Sequence, residues 1–183
     1  YVTVGDKGTI RTSSDGKVWI KQNSGTEEGL KAVCWSGNQF VTVGDNGAIL
    51  TSADGTSWTI RNSGTTGHLE AVSWNGSLFV AVGGKYLEKT GIILSSPDGE
   101  TWTQQSLDTT KWLKAVIWNG SQFIAAGSFI YTSPDGMNWT LNRQCSRLIS
   151  NMIWDGNKFV AVGWNINIQT STDGIKWIRI IMY

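Results

Sequence analysis

A seven-residue motif, S-x-D-G-x-x-W, occurs five times in the 183 residues of this chain. Its aspartates are Asp15, Asp54, Asp98, Asp135 and Asp173, so successive copies begin 39, 44, 37 and 38 residues apart. A period of about 20 to 50 residues is typical of stacked supersecondary units, because a single unit cannot bury its own apolar faces. We therefore divide the chain, as one domain, into the repeats 1–29, 30–68, 69–112, 113–148 and 149–183.

The composition of the motif predicts a turn followed by a strand. Ser and Asp side chains accept hydrogen bonds from nearby backbone amides, and Gly adopts positive φ without a steric clash. The Trp then places a large apolar surface, with one N–H donor, where the next strand begins. We interpret these residues as structural: Asp15, Trp19, Asp54, Trp58, Asp98, Trp102, Asp135, Trp139, Asp173 and Trp177.

Each full repeat contains four strand-like segments, which in the second repeat are 30–35, 40–44, 48–52 and 58–62. The second segment reads YVTVG, FVTVG, FVAVG, FIAAG or FVAVG, and such apolar runs suit strands covered on both faces. Four antiparallel strands per repeat, arranged radially, predict an all-β fold, a five-bladed β-propeller.

The first repeat starts inside its second strand, so the first blade is predicted to lack its innermost strand. An unpaired inner edge favours pairing with other chain segments. We therefore expect the missing strand to come from chain outside these 183 residues or from a neighbouring molecule, and the chain to be part of a longer protein.

The composition argues against several classes of partner and cofactor. A net charge of +1 does not favour nucleic acid, and no run of 18 apolar residues predicts membrane insertion. The two cysteines, Cys34 and Cys145, and the single histidine, His68, lack the spacing of a metal site. We expect no metal and no other cofactor.

The motif and the FVAVG strands resemble the Asp-box (BNR-like) β-propellers, which include sialidases, sortilin-type receptors and photosystem II assembly-factor propellers. In the common Asp-box the Asp precedes the Trp by five residues, whereas Asp54 and Trp58 are four apart, as in every copy here. The shortened form is similar to repeats of bacterial surface proteins that read F-V-A-V-G-x-x-G-x-I-x-T-S-x-D-G-x-x-W. That resemblance implies an extracellular or cell-surface location.

The resemblance to sialidases does not extend to their catalytic residues. Sialidases use three arginines, a Tyr/Glu nucleophilic pair and an acidic Asp, but no arginine here stands at the start of a repeated second strand. The acidic residues outside the motif and the hairpin turns form no pair at corresponding positions of the repeats. We expect no enzymatic activity, and a sialidase-like glycoside hydrolase is the least favoured function.

Departures from the repeat indicate where a binding site can lie, because the fold does not require them. In propeller topology, the links between blades and the loops between second and third strands share one rim, opposite the motif turns. An insertion at 84–90 and two non-repeated tryptophans fall on that rim. The candidate binding residues are His68, Tyr86, Trp112, Trp164, Asn165 and Asn167.

Exposed aromatic side chains with polar neighbours suit stacking on a glycan or anchoring of a protein partner. Two alternatives stay open. Trp112 and Trp164 can instead plug the channel mouth or pack between adjacent loops, and the whole propeller can serve as a passive spacer of a cell surface or larger assembly.

The structural interpretation of the motif tryptophans is tested by truncation. Removing an indole that packs in the fold costs on the order of 3 to 5 kcal/mol of unfolding free energy. We expect Trp58→Ala and Trp139→Ala to lower the thermal midpoint accordingly, as measured by thermal melts. Unchanged midpoints would refute the assignment.

Overall fold

The computed structural model describes residues 1–85, 88, 90–106, 111–145, 148–164 and 167–180, except the side chains of 143, 144 and 167. Within these residues, the strands form five antiparallel sheets, of which the first has three strands and the others four each. The one helical element among the described residues is a 3-10 turn at Asp45–Gly47. The predicted all-β five-bladed propeller, with a first blade deficient by its innermost strand, is confirmed.

The strands follow the chain within each blade, so that every sheet is a simple up-and-down meander. Blade 1 contains β1 (Val2–Gly5), β2 (Thr9–Thr12) and β3 (Ile20–Gln22). Blade 2 contains β4 (Leu30–Trp35), β5 (Phe40–Gly44), β6 (Ile49–Ser52) and β7 (Thr59–Arg61). Blade 3 contains β8 (His68–Trp74), β9 (Phe79–Lys85), β10 (Thr90–Ser96) and β11 (Thr103–Gln104).

The last two blades repeat the same order. Blade 4 contains β12 (Leu113–Trp118), β13 (Phe123–Gly127), β14 (Phe129–Ser133) and β15 (Thr140–Gln144). Blade 5 contains β16 (Ile149–Trp154), β17 (Phe159–Gly163), β18 (Asn167–Ser171) and β19 (Ile178–Ile180). The innermost strands β4, β8, β12 and β16 lie side by side, and β1 lies beside β4.

The predicted strands of the second repeat differ from the observed ones only at their ends. Ala48 precedes β6 because its amide closes the preceding turn by donating to the carbonyl of Asp45 at 2.9 Å. Trp58 precedes β7 because its indole Nε1–H donates to the carbonyl of Gly55 at 2.9 Å, which keeps it in the motif turn.

The motif turn is closed by its own Ser and Asp side chains. In the second repeat, Oδ1 of Asp54 accepts the amides of Thr56 and Ser57 at 2.8 and 2.9 Å. Oγ of Ser52 accepts the amide of Gly55 at 2.8 Å. The hydrogen bonds from Ser57 and Thr56 lower the pKa of Asp54, because they stabilise its charged form. The same bonds recur in the other copies.

The glycine of the motif allows one blade to approach the blade before it. Gly136 has a φ of 73°, and a Cβ there would lie 2.9 Å from Cγ2 of Val80 on the preceding blade. Any side chain at this position would therefore be strained by its backbone and crowded by its neighbour. In blades 2 to 5, the turn before the fourth strand is in this way also a contact with the preceding blade.

Successive blades pack through apolar faces. We call the face of a blade that packs on the following blade its outgoing face, and the opposite one its incoming face. Between blades 3 and 4, Val80, Val82 and Ile93 of the outgoing face pack with Phe123 and Ala125 of the incoming face. All five side chains are fully buried. Equivalent clusters join blades 1 to 2, 2 to 3 and 4 to 5.

Each of blades 2 to 5 also contains a phenylalanine between two tryptophans. In blade 3, the ring of Phe79 lies 4.2 Å from Trp74 and 6.3 Å from Trp102, measured between centroids. Phe79 is buried, whereas both indoles are only half-buried. Since the motif tryptophans keep part of their surface in water, we expect their truncation to lower the free energy of unfolding by about 3 kcal/mol, the lower end of the range for a buried indole.

The lowered pKa of the motif aspartates makes stability depend on pH. Because the folded-state pKa is below the unfolded one of about 3.9, this stabilisation is complete above about pH 4 and is lost as the pH falls. We expect Asp54→Asn to have a lower free energy of unfolding than the unchanged chain at pH 7. The difference between the two should become smaller as the pH is lowered toward 2. Denaturant unfolding at both pH values measures this. Glu27→Gln, outside the motif turns, is the control, and a pH-independent difference for Asp54→Asn would contradict the assignment.

Candidate functional site

The links between blades and the loops between second and third strands do meet at one rim, which we call the link rim. The amide of Asp45, after β5, donates to the carbonyl of Gly29, before β4, at 2.7 Å. The motif turns lie at the opposite rim, where Nε2 of Gln39 donates to the carbonyl of Asp98 in the next motif turn at 2.6 Å. The two rims therefore carry different parts of the repeat, as predicted.

A repeated irregularity of the innermost strands brings charged side chains to the link rim. The pairing of the first and second strands shifts register immediately after the initial Leu or Ile in blades 2 to 5. The residue at the shift is Lys31, Glu70, Lys114 or Ser150. A bulge of this kind leaves one residue unpaired and redirects its side chain.

Asp45 connects Lys31 of blade 2 to His68 of blade 3. Nζ of Lys31 lies 3.0 Å from Oδ2 of Asp45, whose Oδ1 lies 2.9 Å from Nδ1 of His68 on blade 3. Burial raises the pKa of Asp45, but hydrogen bonds from Lys31 and His68 outweigh it and hold that pKa below its ordinary value. The hydrogen bond to Asp45 in turn raises the pKa of Lys31. Asp45 and Lys31 therefore stay ionised at neutral pH.

Trp112 continues this arrangement from blade 3 to blade 4. Its ring stacks on His68 with centroids 5.8 Å apart and planes at 24°. Nζ of Lys114 lies 4.0 Å from the centroid of the same ring and 2.7 Å from Oε1 of Glu70. Trp112 fits here because Gly84 has no side chain, and a Cβ on Gly84 would lie 3.0 Å from Cδ1 of Trp112. We call Lys31, Asp45, His68, Glu70, Trp112 and Lys114 the mouth cluster.

A groove lies at the link rim of blade 3. Its volume is about 600 Å³. One wall is the link that ends at His68, and the other is the hairpin of β9 and β10, which the insertion lengthens beyond the hairpins of the other blades. The lining residues are Asn62, Gly64, Thr65, Thr66, Lys85, Glu88, Thr90, Gly91, Ile92 and Gln104.

A smaller groove of about 340 Å³ lies between the link after blade 1 and the hairpin of β1 and β2. The two links have the same local structure, since Oγ of Ser24 and Oγ of Ser63 each donate to the carbonyl two residues later at 3.1 Å. The larger groove differs in that its second wall is the lengthened hairpin of blade 3. The wall of the larger groove contains an ion pair in which Nζ of Lys85 lies 3.1 Å from Oε2 of Glu88.

The structure brings together His68 and Trp112 among the predicted binding residues. Trp112 is half-buried between its neighbours, which agrees with the packing alternative for this residue. Trp164 lies on blade 5 with 79% of its surface exposed. Tyr86 and Asn165 fall outside the described residues. Asn167 begins β18, and its side chain is also outside them.

The residues that sequence reasoning missed are Lys31, Asp45, Glu70 and Lys114. The available signal was the position directly after the buried Leu of each first strand, where the charge alternates as Lys31, Glu70 and Lys114. An alternating strand pattern does not reveal the bulge at that position, so these side chains looked like ordinary exposed residues.

The titratable groups described here do not form a recognisable catalytic arrangement. Burial raises the pKa of Cys34 to about 11, which keeps its thiol protonated at neutral pH. Across the described ranges, His, Cys, Asp and Glu are nowhere grouped in threes that could hold a metal ion. Nor does any helix among those residues have the length and apolar character needed to span a bilayer.

No protein-family model matches the chain, and no curated protein sequence matches it. Similarity appears among solved structures. A YCF48 protein bound to D1 peptide matches with a TM-score of 0.69 at 20% identity, over 97% of this chain and 61% of that one. YCF48 from Cyanidioschyzon merolae matches with a TM-score of 0.68 at 19% identity, over 97% and 66%.

A chain of a nidogen/laminin complex matches with a TM-score of 0.72 at 11% identity, over 97% of this chain and 76% of that one. The chain thus spans about three fifths to three quarters of the length of these proteins. At such low identity the similarity shows the fold alone. It agrees with the strand topology in identifying this chain as a β-propeller.

Proposed function

We propose that this chain is a non-enzymatic binding scaffold that holds an extended peptide segment of a protein partner in the groove of blade 3. The observation that carries the proposal is the lengthened β9–β10 hairpin, which forms one wall of the groove, while the link that ends at His68 forms the other. The Asp-box resemblance, the extracellular or cell-surface location and the protein partner belong to the same proposal.

The lining of the groove suits a peptide backbone. An extended peptide presents one N–H donor and one C=O acceptor per residue, and both need partners when water is displaced. The side chains of Asn62, Thr65, Thr66 and Gln104 can supply them. Its volume of about 600 Å³ lies within the range of ligand sites, roughly 300 to 1,000 Å³.

We also propose that one charged or aromatic side chain of such a peptide contacts His68. His68 pairs with Gly84 across β8 and β9, and Gly84 precedes Lys85 in the hairpin that forms one groove wall. About a third of the side-chain surface of His68 is exposed, and its Nδ1 lies 2.9 Å from Oδ1 of Asp45. A side chain held by a hydrogen bond is preorganised, which lowers the entropy cost of binding.

A glycan is less well matched to this site than a peptide. Sugar rings stack on exposed aromatic faces, but Trp112 has His68 stacked on it and Lys114 over its ring. The comparisons lend general support, because the matched structures include one propeller bound to a peptide and one in a complex with a protein.

The proposal is tested with a phage-displayed random peptide library and a charged substitution in the groove. Thr66→Arg should obstruct the groove and lower the affinity for the enriched peptides at least roughly tenfold, or about 1.4 kcal/mol of binding free energy. Isothermal titration calorimetry measures this affinity. Glu27→Arg is the matched control, because Glu27 has the position of Thr66 in the link of blade 1. It should bind as the unchanged chain does.

Equal affinity for both variants would show that the groove is not the site. If no peptide is enriched and the unchanged chain gives a glycan-array signal that Thr66→Arg loses, the ligand of the groove is a glycan and not a peptide. Trp164→Ala, measured with the same peptides, tests the prediction that the site extends to blade 5. Thermal midpoints of all variants serve to exclude unfolding as the cause of a loss.

A further inference from the structure

The outgoing face of blade 5 has the same apolar residues as the covered outgoing faces of the other blades. The outgoing face of blade 2 presents Val41, Val43 and Ile49. The outgoing face of blade 3 presents Val80, Val82 and Ile93. All six side chains are fully buried by the following blade. The corresponding residues of blade 5 are Val160, Val162 and Ile168. The repeat therefore provides blade 5 with a face suited to burial.

That face is exposed in the structure. Val162 is 43% exposed, whereas its counterpart Ala126 on blade 4 is fully buried. Ile153 on β16 is 58% exposed, whereas its counterpart Ile117 packs against blade 5. Large apolar side chains grouped on one sheet face typically mark a contact surface.

Blade 1 does not cover this face. In blades 2 to 5 the motif glycine approaches the second strand of the preceding blade, as Gly174 approaches Ile124. Among the residues that the structure describes, a Cβ at Gly16, the motif glycine of blade 1, would have only Tyr1 of its own blade within 4 Å. Tyr1, which has the position of the buried Phe79, is 74% exposed. As far as the described residues show, the ring is therefore open between blades 5 and 1.

Blade 1 is also poorly suited to this role. It has no first strand, so it offers nothing to pack against Ile153 on the innermost strand of blade 5. Its incoming face carries the exposed residues Thr3 and Arg11, where blade 3 has the buried Ala81 and Leu94. A second copy of the chain would present the same polar face, so it is not the matching partner.

Trp164 has a position that contacts the next blade elsewhere in the molecule. The first residue after the second strand is Asp6 in blade 1, which lies 3.6 Å from Lys31 of blade 2. In blade 2 it is Asp45, which contacts His68 of blade 3. Trp164 is that residue of blade 5, and its indole is 79% exposed.

We propose that the outgoing face of blade 5, with Trp164 at its link rim, binds a further four-stranded blade of the same repeat type. Such a blade would bring a first strand with Leu and Val against Ile153, a Phe-led second strand, and a motif glycine against Val160. This is the contact that blade 5 itself makes on blade 4 through Ile149, Phe159 and Gly174.

The test adds a copy of residues 109–148, which is the chain's own fourth repeat with the end of the link before it, after Tyr183. Ten residues then separate Trp177 from the first-strand Leu of the added copy, as ten separate Trp102 from Leu113. The extended protein should melt at least about 5 °C higher and bind less of an apolar-surface dye than the unextended one. The matched control is the same extension with Phe123→Asp and Ala125→Asp in the added copy only, which should show neither change. Equal effects of both extensions, or of neither, would overturn the proposal.

A second comparison uses the unextended chain, in case the extension does not fold. Val162→Asp should leave the thermal midpoint within about 1 °C, whereas Val43→Asp at the corresponding covered position of blade 2 should lower it strongly. Equal losses would mean that the face is already covered. A dimer that sedimentation detects and Val162→Asp dissociates would make a second copy the occupant and overturn the proposal.

Discussion

The structure depends on the approach of the motif turns of blades 2 to 5 to the blade before each of them. The turn is closed internally, because Ser and Asp accept its backbone amides, and this fixes the glycine that must fit against the neighbouring second strand. A side chain at Gly136 would collide with Val80, and the apolar faces of blades 3 and 4 could not meet as closely. Local hydrogen bonds thus determine the contact on which burial of the core depends.

The two rims consequently have different freedom to vary. At the rim of the motif turns, the Ser, Asp, Gly and Trp of the motif serve closure of the turn or contact between blades. At the link rim, blade 3 carries a lengthened hairpin, and the junctions between blades use a hydrogen bond between Asp45 and His68 in one place and the aromatic ring of Trp112 in another. Recognition can be added at the link rim without disturbing the core, as is common for loops on a rigid scaffold.

The repeated features could be predicted from the sequence, because the five copies agree on each of them. The boundaries of β4 and β5 and the turn at Asp54 are examples. The mouth cluster could not be predicted, since it depends on a bulge that places Lys31, Glu70 and Lys114 out of register. The open face of blade 5 was equally hidden, because Val160 and Val162 resemble residues that are covered in other blades.

The central claim is that coverage by the following blade, and not the strand itself, determines stability along the chain. Amide hydrogen exchange tests this directly, because it reports local opening free energies at equivalent positions of the repeats. The account predicts that β9 and β13, covered on both faces, exchange at least roughly tenfold more slowly than β17, whose outgoing face is exposed. Exchange of β17 as slow as that of β13 would contradict it.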